Sequence, residues 1–122
     1  MTARSLRIFV VEDHADTARG LKKYLESRGH QVIVAQDVSS ALRLADEQPF
    51  DVLLSDLGLP DGNGWELLQQ LRSRRPVRAI AMSGYNTDAD RDRSSRVGFL
   101  QHLAKPLRLD TLMAALCSAA AA

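Results

Sequence analysis

Short apolar runs alternate with segments of helical period along the whole chain, and the alternation occurs five times. The apolar runs are nearly continuous, which is typical of strands that are buried on both faces of a sheet. Strands that alternate with helices form βαβ units, and the strands of such units run parallel. The predicted strands span residues 7–11, 32–35, 52–55, 78–82 and 100–104.

The segments that follow these runs carry apolar residues at spacings of three and four, the period of an amphipathic helix. Gly29 and Gly98 follow two of them at the position of a C-terminal cap, and Pro49 and Pro76 end two others. The fourth has few apolar positions, so we expect a short exposed helix held by local ion pairs. The predicted helices fall within residues 15–28, 38–48, 65–74, 86–96 and 109–116.

Five parallel strands and five helices predict a doubly wound α/β fold, because right-handed crossovers place helices on both faces of a parallel sheet. The length of 122 residues, with 45% hydrophobic and 25% charged residues, is ordinary for one globular domain. We therefore predict a single domain over residues 1–122. In such sheets the functional site lies beyond the carboxyl ends of the strands. The polar residues at those ends are Glu12, Asp13, Asp56, Ser83 and Lys105.

Charge and cysteine content exclude several functions. The chain has 16 Lys and Arg against 15 Asp and Glu, so no global positive field attracts nucleic acid, and we predict no direct nucleic-acid binding. The single cysteine, Cys117, cannot close an intramolecular disulfide, which suits a reducing cytoplasm. No apolar stretch reaches the length of about 20 residues that a membrane span requires. The basic residues that remain as a local patch are Arg72, Arg74, Arg75 and Arg78.

Three carboxylates are predicted to share one crevice. Glu12 and Asp13 end one buried strand, and Asp56 ends the strand that a doubly wound sheet places beside it. Each acid taken singly also fits a helix cap or a turn. Together they repel one another unless protons or a cation offset their charge, and a hard divalent cation prefers oxygen ligands. The sequence therefore predicts a site for Mg²⁺.

A lysine and a hydroxyl complete the predicted site. Lys105 follows the last strand and balances charge in the acidic crevice, while Ser83 ends the fourth strand and offers a hydroxyl to an incoming oxyanion. A metal, a lysine and a hydroxyl around a carboxylate are suited to phosphoryl transfer, because they stabilise charge on the phosphoryl oxygens. Asp56, the central acid, is the predicted nucleophile.

With these residues the chain resembles the receiver domain of two-component response regulators over essentially its whole length. The resemblance rests on V-V-E-D at residues 10–13, L-S-D-L-G-L-P-D-G-N-G at 54–64, A-M-S-G at 81–84 and A-K-P-L at 104–107. In amino-acid sequence these motifs are most similar to receivers of hybrid sensor histidine kinases. The resemblance implies a flavodoxin-like receiver fold with strand order 2-1-3-4-5.

The resemblance also implies roles for individual residues. Asp56 would be the phosphoacceptor, Ser83 the hydroxyl switch and Lys105 the charge-balancing lysine, with a cis bond between Lys105 and Pro106. The metal ligands would be Glu12, Asp13, Asp56 and the backbone carbonyl of Gly58.

The implied cofactor is Mg²⁺, and the implied phosphodonor is a histidine kinase or a histidine phosphotransfer protein. The domain would catalyse only its own phosphorylation and dephosphorylation, so it would not be an enzyme for an external substrate. Phosphorylation would change the face formed by the fourth helix, the fifth strand and the fifth helix, which would bind a downstream protein partner. With one receiver domain filling the chain, we expect output through protein contacts.

His102 departs from the pattern of the family, whose receivers usually carry Tyr or Phe three residues before the lysine. One interpretation makes His102 a histidine on an edge strand that faces solvent, and this is the one we favour. The other makes it a switch residue that acts together with Ser83.

Two other functions are possible on a similar fold. A phosphohydrolase that forms an aspartyl phosphate needs a second acid shortly after its nucleophile, but residues 57–60 are Leu, Gly, Leu and Pro. A flavin-binding electron carrier needs a hydroxyl-rich phosphate loop after the first strand, where Glu12 and Asp13 would repel the phosphate. The sequence favours the signalling function over both.

Overall fold

Five parallel strands form one sheet in a computed structural model that describes residues 5–84 and 86–122. The order of the strands is β2-β1-β3-β4-β5, as the resemblance predicts. The strands are β1 (Arg7–Val11), β2 (Gln31–Ala35), β3 (Val52–Asp56), β4 (Ala79–Ser83) and β5 (Gln101–Ala104). The sheet and its helices form the predicted doubly wound α/β fold.

Five helices cover the sheet, each following one of its strands. They are α1 (Ala15–Ser27), α2 (Val38–Glu47), α3 (Gly64–Arg72), α4 (Asp88–Val97) and α5 (Leu109–Ala121). A short antiparallel pair, Gly58–Leu59 with Gly62–Asn63, lies in the loop after β3 and was not predicted from the sequence. Among the described residues no helix is long and apolar enough to cross a membrane.

The core consists of two apolar layers, one on each face of the sheet. Successive strand residues point to opposite faces, so Phe9 and Val11 of β1 pack with α2 and α3, whereas Ile8 and Val10 pack with α1 and α5. All four side chains are fully buried. Because both faces are covered, the strands read as continuous apolar runs, which is the pattern that identified them in the sequence.

Polar side chains fix where the helices begin. Asp37 accepts a hydrogen bond from the backbone N–H of Ser40, and Thr87 forms a reciprocal capping box with Asp90. Asp61, in the loop after β3, accepts the backbone N–H groups of Val38 and Ser39 at 2.8 and 3.0 Å. This contact ties the loop after β3 to the start of α2.

The local arginine patch is engaged in contacts within the fold. Arg74 and Arg75 both pair with Asp46, at 2.9 and 2.5 Å. The guanidinium of Arg72 donates to the carbonyl of Val97 at the end of α4. Arg78 donates to the carbonyl of Ala122. These arginines join neighbouring elements of the fold.

His30 is a buried histidine at the entrance to β2. It is only 8% exposed, and its Nδ1 accepts the backbone N–H of Leu6 at 3.1 Å. It follows the turn at Gly29, and its ring packs inward and contributes a hydrogen bond. Burial lowers the pKa of His30 below its ordinary value.

We predict that His30 makes the protein less stable in mild acid. The unfolded chain takes up a proton on this histidine more readily than the folded chain, so the free energy of unfolding should decrease as the pH falls below about 6.5 and through the lower folded pKa. Denaturant titrations between about pH 7 and pH 5 measure the slope. His30→Asn keeps an acceptor for Leu6 and should flatten it. His14→Asn, at an exposed helix cap, is the control, and an unchanged slope in His30→Asn contradicts the prediction.

Candidate functional site

The carboxyl ends of four strands bring the predicted site residues to one edge of the sheet. In the parallel pairings Val11 lies beside Ser55, Asp56 beside Met82, and Ser83 beside Ala104. Each predicted residue is therefore at, or within two residues beyond, the last paired position of its strand. Sequence spacing predicted this placement correctly, because parallel strands that begin at one edge must end at the other.

Lys105 joins the two buried acids of the site. Its Nζ donates to Oε1 of Glu12 and to Oδ2 of Asp56, both at 2.7 Å. The other oxygens are also held, since Glu12 accepts the backbone N–H of His14 at 3.1 Å and Asp56 accepts that of Gly58 at 3.2 Å. Glu12 is 1% exposed and the Asp56 side chain 13%. The ammonium group thus fixes two carboxylates from different strands.

Burial and ion pairing set the charges of this cluster. Burial raises the pKa of Glu12 above its ordinary value, although the hydrogen bond from Lys105 opposes the rise. Burial acts to lower the pKa of Lys105, but hydrogen bonds to Asp56 and Glu12 outweigh it and the pKa is raised. Lys105 therefore stays an ammonium at neutral pH, and its hydrogen bond favours the ionised form of Glu12 against the effect of burial.

Three carboxylates of the site have the spacing of metal ligands. One oxygen from each of Glu12, Asp13 and Asp56 lies within 4.8 Å of the others, and Asp13 is on the exposed rim. A single ammonium does not balance three carboxylates, and hard oxygen donors are the ligands that Mg²⁺ prefers. The donor set of this site therefore fits Mg²⁺.

Gly64 supports the backbone behind Asp56. A Cβ atom at Gly64 would lie 2.5 Å from the carbonyl oxygen of Asp56, so only glycine allows this approach. The N–H of Gly64 donates to the carbonyl of Leu57 at 2.9 Å, and the hydroxyl of Ser55 donates to the carbonyl of Asp56 at 2.8 Å. In the sequence Gly64 is only the last residue of the motif over residues 54–64, because the close approach depends on how α3 packs.

Ser83 is completely buried at the last position of β4. Its carbonyl accepts the backbone N–H of Lys105 at 2.9 Å and the side-chain amide of Asn86 at 3.0 Å. The end of β4 is thus tied both to Lys105 and to the segment before α4. The contact from Asn86 was not predicted, since nothing in its sequence context distinguishes it from a loop residue.

His102 does not face solvent, and the interpretation favoured from the sequence is wrong. Its Nδ1 lies 2.8 Å from the hydroxyl of Ser94, and its Nε2 lies 3.0 Å from Oδ1 of Asn86. The ring is half-buried because α4 covers this face of β5. The hydrophobic pattern of the sequence did not predict this position, because α4 has almost no apolar face that would indicate packing on the sheet.

The bond between Lys105 and Pro106 is cis, as the resemblance predicts. Beside it lies an open groove of about 600 Å³ between α1 and the loop after β5. Its lining includes Leu21 and Gly20 of α1 together with Lys105, Leu107 and Leu109. The groove reaches the site through Lys105, and the sequence alone gave no sign of it.

Comparisons with known proteins agree with this geometry. The chain matches the family model of the response regulator receiver domain over residues 8–117. The transcriptional regulatory protein KdpE of Mycobacterium tuberculosis is 35% identical over 112 residues, which cover 92% of this chain and 50% of KdpE. The virulence sensor protein BvgS of Bordetella bronchiseptica is 32% identical in an alignment 125 positions long, which covers 96% of this chain and 10% of BvgS.

A solved structure extends the likeness to three dimensions. The crystal structure of a response regulator protein from Burkholderia pseudomallei, which holds a phosphorylated aspartic acid, a calcium ion and citrate, matches with a TM-score of 0.86. It is 30% identical in sequence, and the match covers 94% of this chain and 68% of that one. Against KdpE the chain spans about half the length of the relative.

We predict that Mg²⁺ stabilises the folded protein. An ion that binds the native state alone, at ten times its dissociation constant, adds about 1.4 kcal/mol to the free energy of unfolding. That gain corresponds to a rise in melting temperature of about 4–8 °C. Thermal melts with and without millimolar Mg²⁺ measure it. Asp13→Asn should reduce the rise, whereas Asp16→Asn, at a nearby exposed acid, should leave it unchanged. Equal melting temperatures for the unmodified protein would refute the metal site.

Proposed function

This chain belongs to the receiver domain family of response regulators, the phosphoacceptor signalling modules of two-component systems, and we propose that Asp56 is its phosphoacceptor. The observation that carries the proposal is the double contact of Lys105, which holds Asp56 beside two further carboxylates at the edge of the sheet. Asp56 is the central acid of this cluster and keeps a small exposed surface through which a phosphoryl group can enter.

The reaction that we propose moves a phosphoryl group from a phosphohistidine to the carboxylate of Asp56. The P–N bond of the donor breaks, an O–P bond to Asp56 forms, and the histidine nitrogen keeps the electron pair. Lys105 stays protonated and is placed to pair with the new phosphoryl oxygens, while Glu12 and Asp13 are placed to hold Mg²⁺. Bound Mg²⁺ would neutralise negative charge on the phosphoryl oxygens and the acids. The carbonyl of Gly58 completes the proposed ligand set.

The site does not favour the alternative of a phosphohydrolase. The two side chains nearest in sequence after Asp56 that point into the fold are Leu57 and Leu59, both buried and apolar. Neither can donate a proton to a leaving group. Turnover is therefore confined to the domain's own phosphorylation and dephosphorylation, with Ser83 as the hydroxyl that turns toward the phosphoryl group.

We propose that the phosphodonor, a histidine kinase or a histidine phosphotransfer protein, docks in the groove between α1 and the loop after β5. The groove is largely apolar and leads to Lys105, so a partner seated there brings its phosphohistidine to Asp56. Gly20 lies mid-helix on its wall, and a Cβ there would meet nothing within 4 Å. The missing side chain leaves room for a partner's backbone.

The output surface that we propose is the face of α4, β5 and α5, where a downstream protein partner binds. A shallow depression of about 300 Å³ on this face is lined by Arg91, His102, Arg108 and Thr111 among others.

The exposed free thiol of Cys117 suits a reducing compartment, and we place the domain in the cytoplasm.

We predict that Asp56 carries the phosphoryl group. After incubation with acetyl phosphate and Mg²⁺, intact mass spectrometry should show one added phosphoryl group that hydroxylamine removes, as expected of an acyl phosphate. Asp56→Asn should show none, because an amide is not a nucleophile for this transfer. Asp92→Asn, at an exposed acid of α4, should behave like the unmodified protein. A hydroxylamine-sensitive adduct on Asp56→Asn would overturn the assignment.

We also predict that the acyl phosphate is long-lived. Hydrolysis needs a water held in line with the phosphoryl group, and Gly58, two residues after Asp56, has no side chain to orient it. Gly58→Asn should shorten the lifetime several-fold, measured from the decay of the phosphorylated mass peak. Gln70→Asn, at an exposed residue of α3, is the control. A longer lifetime in Gly58→Asn contradicts this reasoning. Tyr85, from which the sequence also predicts an influence on this water, lies outside the described residues.

A further inference from the structure

The loop after β3 closes on itself as a hairpin of residues 58–63, whose turn consists of Pro60 and Asp61. Gly58 is the first residue of this 58–63 hairpin, and its N–H donates to Oδ1 of Asp56 at 3.2 Å. A hairpin with a two-residue turn allows few backbone conformations. A contact that fixes the turn therefore also fixes the position of Gly58 beside Asp56.

Asp61 attaches the turn of this hairpin to the start of α2. Its Oδ1 accepts the backbone N–H of Val38 at 2.8 Å, and its Oδ2 accepts that of Ser39 at 3.0 Å. These N–H groups have no partner within the helix, and they carry the partial positive charge of its N-terminus. A carboxylate that accepts one bond on each oxygen is held in orientation as well as in position.

α2 does not need Asp61 as its cap, because Asp37 already occupies the N-cap position. The carboxylate of Asp37 accepts the backbone N–H of Ser40 at 2.7 Å, a contact within the first turn of the helix. Asp61, in contrast, lies 23 and 22 positions from its two partners. Its contact is therefore a connection between two segments of the fold, which capping by Asp37 alone would not provide.

Close packing accompanies these two hydrogen bonds. A Cβ atom at Gly62 would lie 3.2 Å from Cγ2 of Val38, so the hairpin lies directly against the first residue of α2. Val38 and Leu59 are both buried and belong to the same apolar cluster. The hairpin and the start of α2 thus form one packed unit, with Asp61 as a polar contact at its exposed edge.

The start of α2 is also tied to the acids that follow β1. The backbone N–H of Glu12 donates to the carbonyl of Ala35, the last residue of β2, at 3.0 Å. Only residues 36 and 37 separate this bond from α2. The same short segment therefore supports Glu12 on one side and the 58–63 hairpin on the other. Asp61 closes this connection on the side of the hairpin.

We propose that Asp61 is a positioning residue of the metal site, which raises the affinity for Mg²⁺ by holding the 58–63 hairpin on the start of α2. The inference rests on the proposed function, in which the carbonyl of Gly58 and the acids of the site hold the ion. Mg²⁺ requires near-ideal octahedral geometry, so its ligands must be fixed relative to one another when it binds. A hairpin already attached to α2 loses less conformational freedom on binding the ion.

The effect of this contact is reciprocal. If attachment of the hairpin raises the affinity for Mg²⁺, bound Mg²⁺ stabilises the attachment by the same factor. The proposal therefore predicts an effect of Asp61 on the ion and an effect of the ion on the N–H groups of Val38 and Ser39. Both can be measured on the full chain without phosphorylation.

The first experiment is a calorimetric titration of the unphosphorylated protein with Mg²⁺. Asp61→Ala should raise the dissociation constant about fivefold, the lower end of the usual coupling between two sites. Asp61→Asn should lie between Asp61→Ala and the unmodified protein, because its amide oxygen still accepts one N–H. This milder variant also decides the question if Asp61→Ala does not fold.

Asp37→Ala is the matched control. It also removes one carboxylate and one capping bond from the start of α2, so it should lower the melting temperature as Asp61→Ala does. Its dissociation constant for Mg²⁺ should equal that of the unmodified protein. An unchanged constant in Asp61→Ala, or an equal rise in Asp37→Ala, would show that attachment of the hairpin does not set the affinity.

The second experiment measures amide hydrogen exchange by NMR with and without saturating Mg²⁺. Exchange at Val38 and Ser39 should become about fivefold slower relative to Ser40, whose N–H is held within α2 by Asp37. Asp61→Ala should abolish this difference. Equal slowing at all three amides would indicate a general stabilisation of the fold and would contradict the proposal.

Phosphorylation by acetyl phosphate separates the role of Asp61 from the proposed function. Asp61→Ala should be phosphorylated at the original rate under saturating Mg²⁺ and more slowly under limiting Mg²⁺, because the contact acts on metal affinity. A slower reaction at saturation would overturn the positioning role. Equal dissociation constants with normal phosphorylation overturn the role of Asp61 and leave the phosphoacceptor assignment intact. An unmodified protein that binds no Mg²⁺ refutes the metal site together with this inference.

Discussion

A single ammonium group shared between two buried carboxylates is the interaction around which the candidate site is organised. Lys105 reaches Glu12 across 93 positions of sequence and Asp56 across 49, so it closes the site only when β1, β3 and β5 are correctly ordered. Buried charges are tolerated only when they are paired and hydrogen-bonded. The site therefore depends on the whole sheet, and the charge that Lys105 leaves unbalanced is what makes the site a place for a cation.

The sheet can provide this edge because it is buried on both faces. Two apolar layers hold its strands rigidly, and the polar residues are confined to the strand ends, where backbone groups and loops can satisfy them. Small contacts then set the fine positions. Gly64 lets α3 approach the carbonyl behind Asp56, and Asp61 ties the same loop to α2. The apolar core and the polar edge are thus separate parts of one fold.

α4 follows a different principle from the other helices. The remaining helices are packed through apolar stripes, whereas α4 is held through Ser94, His102 and the capping contacts at its two ends. Hydrogen bonds are directional and short-ranged, so a small movement of one partner changes the geometry of its bond to the next residue. A helix attached in this way can respond to a change at the neighbouring strand end without disturbing the core.

The sequence by itself determined the strands, the helices to within a few residues, the strand order implied by the resemblance and the acids and lysine of the site. The strands, helices and site residues follow from local periodicity and from where each strand ends, both of which can be seen in consecutive residues, whereas the strand order follows from the resemblance. The short pair at Gly58–Leu59 and Gly62–Asn63, the approach at Gly64 and the inward position of His102 were decided by the tertiary structure. Each depends on a contact between residues that are not consecutive, and a glycine or a polar residue shows no periodicity that reveals its partner. For His102 the deciding partners are a serine and an asparagine, which become visible only once α4 lies against β5.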